Sequence, residues 1–352
     1  MIKKIKIGSK FIGKNQPVFI IAEAGVNHNG RLDLALKLVD AAVAAGADAV
    51  KFQTFKAGQV VIETGKMAAY QKKNLGKEES QLAMLKKLEL KEKFYKPIIK
   101  RCKEKGIIFL STPHGGFESV DFLQKLGVPA FKFGSGDLTN LPVLQYAARL
   151  QKTMILGTGM ATMKEVKEAV ACIKKAGNEK IIILHCTTNY PCPFDEVNLS
   201  AMVMMMKKLG VLVGYSDHTL GTQVPIMAAT LGACVLEKHF TLDKNMAGPD
   251  QVASAEPAEL KKIIENVRKV KIVLGSAIKE PNKSEVPLIK IARKSLVTIK
   301  NIKKGEKFTR ENIGIKRPGN GLSPKLFSLI IGQKAKKNLL SSAMIKIGDY
   351  EK

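Results

Sequence analysis

The chain has 352 residues, of which 45% are apolar, and its formal net charge at pH 7 is +27. This apolar share excludes a disordered chain, and the length predicts two or three domains, or one barrel with a small additional module. No apolar run approaches the roughly 20 residues of a membrane-spanning helix, and no early segment is arranged like a signal peptide. The basic charge suits anionic partners, but the chain has no Trp and only 6% aromatic residues to stack on bases. We therefore expect neither a nucleic-acid nor a membrane partner.

The cysteines indicate the compartment. There are five, an odd number, and their spacing is irregular: Cys102, Cys172, Cys186, Cys192 and Cys234. This pattern favours reduced thiols in a cytoplasmic protein over a disulfide framework.

Short apolar runs alternate with amphipathic stretches along most of the chain. Eight candidate strands are Val18–Glu23, Asp48–Thr54, Ile107–Thr112, Ala130–Ser135, Met154–Thr158, Ile181–Cys186, Val211–Ser216 and Val235–Phe240. Helical periodicity is found in Leu32–Ala45, Glu118–Leu126, Lys164–Ala176 and Thr222–Leu231. This alternation predicts an α/β fold, a (β/α)8 TIM barrel. A doubly wound open sheet is disfavoured because no Gly-x-Gly-x-x-Gly follows the first strand.

Three segments lie outside the regular repeat. The sequence of residues 5–12 predicts a hairpin, which we expect to close the bottom of the barrel, at the N-terminal ends of its strands. Lys56–Glu89 is too long for an ordinary strand-to-helix loop and predicts a functional excursion. Lys261–Leu274 closes the eighth unit, and a polar linker follows. We therefore predict a barrel domain at 1–282 and a linker with a small β-rich domain at 283–352.

All five histidines lie at or just beyond the C-terminal end of a predicted strand: His28, His114, His185, His218 and His239. In a barrel this is the face that carries the active site. His218 and His239 follow neighbouring strands, so their imidazoles could hold a divalent ion with open positions for water and substrate. Hydrogen bonding without a metal is the alternative.

Two lysines lie inside apolar strands, where their charge needs compensation. Lys51 and Lys132 would be compensated by an anion in the barrel mouth, and the turns Gly134–Gly136 and Gly157–Gly159 suit a phosphate. A Schiff-base lysine is the rival interpretation. Glu23 ends the first strand, where a carboxylate can act as a general acid or base, or pair with a strand lysine.

Seven motifs along the barrel resemble those of the sialic acid synthase family. They are Ile-Ala-Glu-Ala-Gly-Val-Asn-His-Asn-Gly, Val-Lys-Phe-Gln-Thr, Lys-Phe-Gly-Ser-Gly-Asp-Leu-Thr-Asn, Gly-Thr-Gly-Met-Ala-Thr, His-Cys-Thr-Thr-Asn-Tyr-Pro, Gly-Tyr-Ser-Asp-His-Thr-Leu-Gly and Glu-Lys-His-Phe-Thr-Leu-Asp. The tail, with Ala-Arg-Lys-Ser-Leu, Lys-Lys-Gly-Glu, Lys-Arg-Pro-Gly-Asn-Gly-Leu and Ile-Gly-Gln-Lys-Ala, resembles that family's antifreeze-like (SAF) domain. The resemblance implies a transferase that condenses phosphoenolpyruvate with an N-acetylated amino sugar.

The resemblance also implies roles for individual residues. His218 and His239 match metal ligands for manganese or magnesium, and Glu23 and Asp137 match acidic catalytic positions. Positions that match phosphoenolpyruvate contacts are Lys51, Thr112, Lys132, Ser135 and Ser216. Positions that match sugar-side contacts are Gln53, Tyr190, Asp250 and Arg317. Because Arg317 corresponds to an arginine inserted into the partner's site, the resemblance implies a homodimer with swapped C-terminal domains.

Three residues differ from those usual in the sialic acid synthase family, and they concern binding of the acceptor sugar and of the phosphate. Asp137 replaces a more common Glu, Thr188 stands where an Asn contacts the sugar, and Gly157 stands where Ser is common. The first two resemble the legionaminate-type branch. The product is then N-acetylneuraminate from N-acetylmannosamine, or N,N'-diacetyllegionaminate from 2,4-diacetamido-2,4,6-trideoxymannose. The alternatives are another such synthase (pseudaminate synthase, for example), a Schiff-base aldolase, or a non-enzymatic ice- or glycan-binding protein.

Overall fold

The computed structural model describes residues 4–76 and 78–351, which divide into two compact units between Gly275 and Ser276. The sequence-based prediction placed this boundary after residue 282. In the first unit, β1 (Lys4–Ile7) and β2 (Lys10–Gly13) form an antiparallel hairpin. Its buried Ile5, Ile7 and Ile12 pack against apolar residues such as Phe19 and Val235, which begin barrel strands. The hairpin therefore closes the N-terminal end of the barrel, as predicted.

Eight parallel strands form the barrel, and their ends differ from the predicted ones by at most two residues. They are β3 (Phe19–Gly25), β4 (Ala49–Thr54), β5 (Ile108–Pro113), β6 (Ala130–Phe133), β7 (Thr153–Gly157), β8 (Ile181–His185), β9 (Leu212–Asp217) and β10 (Val235–His239). Their hydrogen-bonded order is β5-β4-β3-β10-β9-β8-β7-β6, and the terminal strands β5 and β6 contact each other. The predicted (β/α)8 barrel is confirmed.

Helices surround the sheet, and those outside residues 56–89 present their apolar faces to it. They are α1 (Leu32–Ala45), α2 (Ala57–Val60), α3 (Ala69–Leu75), α4 (Gln81–Leu88), α5 (Glu92–Lys105), α6 (Gly116–Lys125), α7 (Leu141–Arg149), α8 (Met163–Lys175), α9 (Leu199–Lys208), α10 (Gln223–Thr230) and α11 (Pro257–Leu274). Helices α2 to α4 lie within the predicted excursion after β4. No helix among residues 4–76 and 78–351 is long and apolar enough to cross a membrane.

The second unit is small and has its own core. It contains α12 (Val286–Ala292), the antiparallel pair β11 (Ser295–Thr298) and β12 (Ile313–Lys316), and α13 (Phe327–Ile330). Leu296, Phe308 and Ile345 are buried together in this core. Several isolated bridges between extended segments supplement the two strands, as expected for a small β-rich domain.

Candidate functional site

A cavity of about 370 Å³ opens at the carboxyl ends of the barrel strands. This is the end at which barrel active sites are built. Eleven residues proposed from the sequence line it: Glu23, Lys51, Gln53, Thr112, Lys132, Ser135, Tyr190, Ser216, His218, His239 and Asp250. They come from seven of the eight strands or the loops that follow, so the fold brings together residues that are far apart in sequence.

Two lysines and two carboxylates form the floor of the cavity. Lys51 Nζ lies 2.7 Å from Glu23 Oε2 and 3.8 Å from Glu237 Oε2. Lys132 Nζ lies 3.3 Å from Glu237 Oε1. All four side chains are buried. A buried charge is tolerated when it is paired, so the strand lysines are compensated within the protein, as the ion-pair interpretation of Glu23 anticipated.

Burial and charge act against each other in this cluster. Burial raises the pKa of Glu23, although Lys51 opposes the shift. Burial alone would also raise the pKa of Glu237, but the charges of Lys132 and Lys51 lower it. For Lys132, burial opposes the charge, yet Glu237 and other neighbours raise the pKa. The floor therefore keeps Lys132 and Glu237 ionised and makes Glu23 the carboxyl that takes up a proton more readily.

Hydroxyl groups surround the two lysines. Lys51 Nζ donates to Thr112 Oγ1 at 3.0 Å, and Ser216 Oγ donates to Glu237 Oε1 at 2.9 Å. Ser135 Oγ accepts a hydrogen bond from the Gly159 amide at 3.0 Å. A Cβ at Gly157 would lie 3.0 Å from Ser135 Oγ and 3.6 Å from Lys132 Nζ. The glycine therefore leaves room for these two groups, although it supplies no hydroxyl of its own.

Two imidazoles face each other on another wall. The rings of His218 and His239 have centroids 5.6 Å apart, and the Tyr190 ring contacts both, at 4.2 and 5.4 Å. His218 Nδ1 lies 2.6 Å from the carbonyl oxygen of Thr187, while the buried His239 Nδ1 has no hydrogen-bond partner among the described residues. Burial lowers the pKa of His218 to about 4 and that of His239 well below its usual value. Both rings are therefore neutral near pH 7.

Neutral imidazoles, one held through its second nitrogen by a carbonyl, are the form in which histidine binds metals. Among residues 4–76 and 78–351, no three His, Cys, Asp or Glu side chains are grouped to hold an ion. In the described part of the chain the two imidazoles are therefore candidate donors to an ion, which would take its remaining ligands from water or substrate.

The loop after β10 and the excursion form the outer walls. Asp250 is buried beside the cavity, and burial raises its pKa to about 6. Asn74 of α3 donates to the carbonyl of Pro249 at 2.7 Å and so ties the excursion to this loop. Tyr70 and Gln71 of the excursion line the cavity. The predicted excursion is thus part of the site.

Two proposed residues do not line the cavity. Asp137 lies behind it, with Oδ2 3.2 Å from Nδ1 of His114, which is a lining residue. Arg317 is an exposed residue of the second unit, directly after β12. Two of the five histidines also lie elsewhere: His28 is buried and accepts from the Gly30 amide, and His185 Nε2 lies 2.9 Å from the Val197 carbonyl oxygen.

Glu237 was not among the site residues proposed from the sequence. It contacts both lysines and Ser216, which makes it central to the floor. The signal was available in the alternation of β10. Side chains two apart on a strand share a face, so Glu237 had to point inward with His239. Tyr70 and Gln71 were missed because the excursion has no strand register to fix where its side chains point.

Comparison with known proteins agrees with this geometry. Residues 38–279 match the model of the NeuB family, and residues 293–351 match that of the SAF domain. The chain is 50% identical to the N,N'-diacetyllegionaminic acid synthase of Campylobacter jejuni, over 93% of this chain and 98% of that protein. It is 33% identical to the pseudaminic acid synthase of the same species, over 96% of this chain and 98% of that protein.

Among solved structures, the chain is similar to the spore coat polysaccharide biosynthesis protein spsE of Bacillus subtilis. The TM-score is 0.68 and the identity 36%, with 99% of each chain covered. Family models and a relative of nearly equal length therefore agree on both parts of the chain. The chain belongs to the NeuB family of synthases and ends in a SAF domain.

Proposed function

We propose that this protein is an N,N'-diacetyllegionaminate synthase: it condenses phosphoenolpyruvate with 2,4-diacetamido-2,4,6-trideoxymannose and releases phosphate. Membership in the family supports a phosphoenolpyruvate-dependent nonulosonic acid synthase. The observation that carries the choice of acceptor is the 50% identity to a legionaminic acid synthase, against 33% to a pseudaminic acid synthase. The pseudaminate-type acceptor is the second candidate.

The floor of the cavity supports binding of phosphoenolpyruvate. Lys51 and Lys132 offer two cationic groups close to hydroxyls of Thr112, Ser135 and Ser216. Phosphate and carboxylate groups are bound well by such cation and hydroxyl sets. The lysines are already paired with Glu23 and Glu237, so a Schiff-base role, which needs a free neutral amine, is disfavoured.

We assign the acceptor sugar to the outer part of the cavity, near Gln53, Tyr190 and Asp250. The enol carbon C3 attacks the aldehyde carbon of the open-chain sugar, water adds at C2, and the bond from C2 to the phosphate oxygen breaks. As this bond breaks, the C2 hydroxyl becomes the ketone and its proton passes to the released phosphate. The other proton of the water goes to the new alkoxide, so the proton count balances. Glu23 is next to Lys51 and Gln53 and is our candidate for moving this proton, with Asp137 as the second acidic group.

Synthases of this family generally depend on a metal ion. We assign His218 and His239 as the protein ligands, with manganese or magnesium as the ion, because their neutral rings face one another in the cavity. When bound there, a divalent ion supplies Lewis-acid polarisation of the aldehyde oxygen. We also propose, from the family resemblance, a homodimer in which Arg317 of each SAF domain reaches the partner's cavity. We further propose that the enzyme acts in the cytoplasm, as the odd number and irregular spacing of its cysteines predict.

A phosphate-release assay tests the proposal. Purified protein with phosphoenolpyruvate and Mn²⁺ is given N-acetylmannosamine, 2,4-diacetamido-2,4,6-trideoxymannose and the pseudaminate-type acceptor in separate reactions. We expect the highest kcat/KM with the 2,4-diacetamido-mannose sugar, loss of turnover in EDTA, and recovery when Mn²⁺ is added. A higher kcat/KM with either other sugar contradicts the assigned acceptor. Full turnover by metal-free protein in EDTA contradicts the metal assignment.

A further inference from the structure

An imidazole–carboxylate pair lies at the mouth of the cavity, on the side of β5 and β6. His114 follows β5 directly and lines the cavity, and Asp137 closes the short turn Ser135–Asp137 after β6. His114 Nδ1 lies 3.2 Å from Asp137 Oδ2. The His114 side chain is 27% exposed, in contrast to the 3% of Lys51 on the floor. The pair therefore belongs to the outer part of the cavity.

The surroundings fix the direction of the His114 ring. The backbone amide of His114 donates to the carbonyls of Thr54 and Thr112, which anchors the residue to the ends of β4 and β5. A Cβ at Gly134 would lie 2.8 Å from His114 Cε1, so the ring packs against backbone that only glycine leaves free. Because Nδ1 is the ring nitrogen on the Asp137 side, the tautomer that suits this carboxylate has its proton on Nδ1. Nε2 has no hydrogen-bond partner in the described part of the chain, and is left as an acceptor at the cavity wall.

The Asp137 carboxylate behind the His114 ring favours an uncharged ligand over an anionic one. Asp137 Oδ2 is buried without a hydrogen-bond partner, and within residues 4–76 and 78–351 the basic side chain next to it is His114, with no lysine or arginine. A phosphate or carboxylate next to this pair would face the carboxylate across one imidazole, whereas the floor lysines offer it cations. An uncharged donor, such as a hydroxyl or an amide N–H, meets no such repulsion and supplies the hydrogen that Nε2 lacks.

We infer that His114 determines acceptor specificity: its Nε2 accepts a hydrogen bond from a hydroxyl or acetamido N–H of the sugar, and Asp137 holds the ring in the required orientation. This inference rests on the proposed function, because it assumes that an acetamido sugar occupies the outer cavity. His114 is then a substrate-contacting residue, and Asp137 acts on the sugar through it in addition to any acidic role of its own.

Three substitutions separate the two ring nitrogens. His114→Phe removes both nitrogens and keeps an aromatic ring. His114→Asn keeps an amide N–H near the position of Nδ1, toward Asp137, but has nothing at Nε2. His114→Gln places its terminal amide near Nε2. Each variant is assayed for phosphate release with the acceptor that the wild type uses best, and KM is measured separately for acceptor and phosphoenolpyruvate. Thermal melting identifies any variant that fails to fold.

We expect His114→Phe and His114→Asn to raise the acceptor KM at least tenfold while the phosphoenolpyruvate KM stays within twofold, and His114→Gln to recover part of the loss. Wild-type acceptor KM in the Asn variant would overturn the inference, because the ring would then act only by holding Asp137. So would a rise confined to the phosphoenolpyruvate KM. Should the Phe variant not fold, the Asn and Gln variants carry the same comparison.

A different result would refute the proposed function itself. A wild type that turns over no acetamido sugar refutes that function and this inference with it. A wild type that is active, with Phe and Asn variants unchanged, refutes the role of His114 alone.

Discussion

The positive charges of the two buried lysines in the cavity are balanced by protein carboxylates before any substrate binds. The sequence suggested that an anion could compensate Lys51 and Lys132, but Glu23 and Glu237 do so within the protein. The charges of these two lysines and two glutamates sum to zero when all four groups are ionised. Phosphoenolpyruvate therefore binds to a neutral cluster whose lysines can shift from carboxylate to ligand, and the loss of one lysine leaves the cluster with a net negative charge.

Lys132→Met tests this electrostatic balance. The substitution leaves two carboxylates facing Lys51, so an anionic ligand meets net negative charge in a buried site. We expect the KM for phosphoenolpyruvate to rise at least tenfold, about 1.4 kcal/mol, while the acceptor KM changes less. Steady-state phosphate release measures both constants.

Lys238→Met is the matched control. Lys238 is also buried in β10 and lies 2.6 Å from Asp217 Oδ2, but it does not line the cavity. Breaking this pair should lower the melting temperature, because one charge stays buried alone. The folded protein should keep a phosphoenolpyruvate KM within twofold of the wild type. Equal KM values for Lys132→Met and wild type would contradict the assignment of Lys132.

His28 illustrates how burial of a single imidazole couples stability to pH. Burial lowers the pKa of His28 from 6.5 to about 4. The unfolded chain therefore binds more protons than the native state between these values, and the native state is penalised as the pH falls. This histidine does not lower the free energy of unfolding above pH 6.5, but it lowers it by about 3 kcal/mol as the pH falls to 4.

His28→Asn should remove that pH dependence. The Asn oxygen can still accept the hydrogen bond that the Gly30 amide gives to His28 Nδ1, but it does not titrate in this range. Urea unfolding of wild type and variant at pH 7 and pH 4.5 gives the comparison. Carboxyls with raised pKa, such as Asp250, act on both proteins alike and cancel in the difference. Parallel losses of stability in the two proteins would exclude His28 as the source.

At the scale of elements, the strands could be predicted because their apolar runs are continuous and bounded by glycine. Parallel barrel strands are covered on both faces, so every residue of β3, for example, is buried. Glycines at left-handed positions mark several helix ends; Gly46 after α1 has φ +87°. Strand ends in turn fixed the floor of the site, since residues at carboxyl ends of parallel strands converge on one mouth.

Other elements had weaker local signals. Helix α5 contains an internal Pro97, a residue that usually marks a helix end, and it was not predicted. Helix α7 was not predicted either, although the Pro near its start is a favourable helix-start residue. Helix α9 follows Asn198, which has a positive φ. The three short helices of the excursion pack on the barrel and the loop after β10 through contacts far apart in sequence, such as that of Asn74 with Pro249. Local patterns do not encode such contacts, so this wall of the cavity was not predicted.

At the scale of the whole molecule, the chain joins a barrel that holds a nearly complete set of site residues to a separate small unit that holds Arg317. Eleven of the thirteen proposed residues line the barrel cavity, and Arg317 is exposed in the second unit. Arginine offers planar donors suited to hydroxyl and acetamido oxygens. In the proposed homodimer, it acts on the partner's sugar rather than on the sugar in its own barrel.

Mixing two impaired variants distinguishes these arrangements when activity is measured at phosphoenolpyruvate concentrations below the wild-type KM. Arg317→Ala subunits are combined with Lys132→Met subunits under conditions of confirmed subunit exchange. If the arginine acts across subunits, each mixed dimer has one site with both defects and one intact site. With random association, activity should recover to about a quarter of the wild-type value per subunit. If the arginine acts within its own subunit, every site keeps one defect and the mixture stays as impaired as its parents, which would refute the swapped dimer.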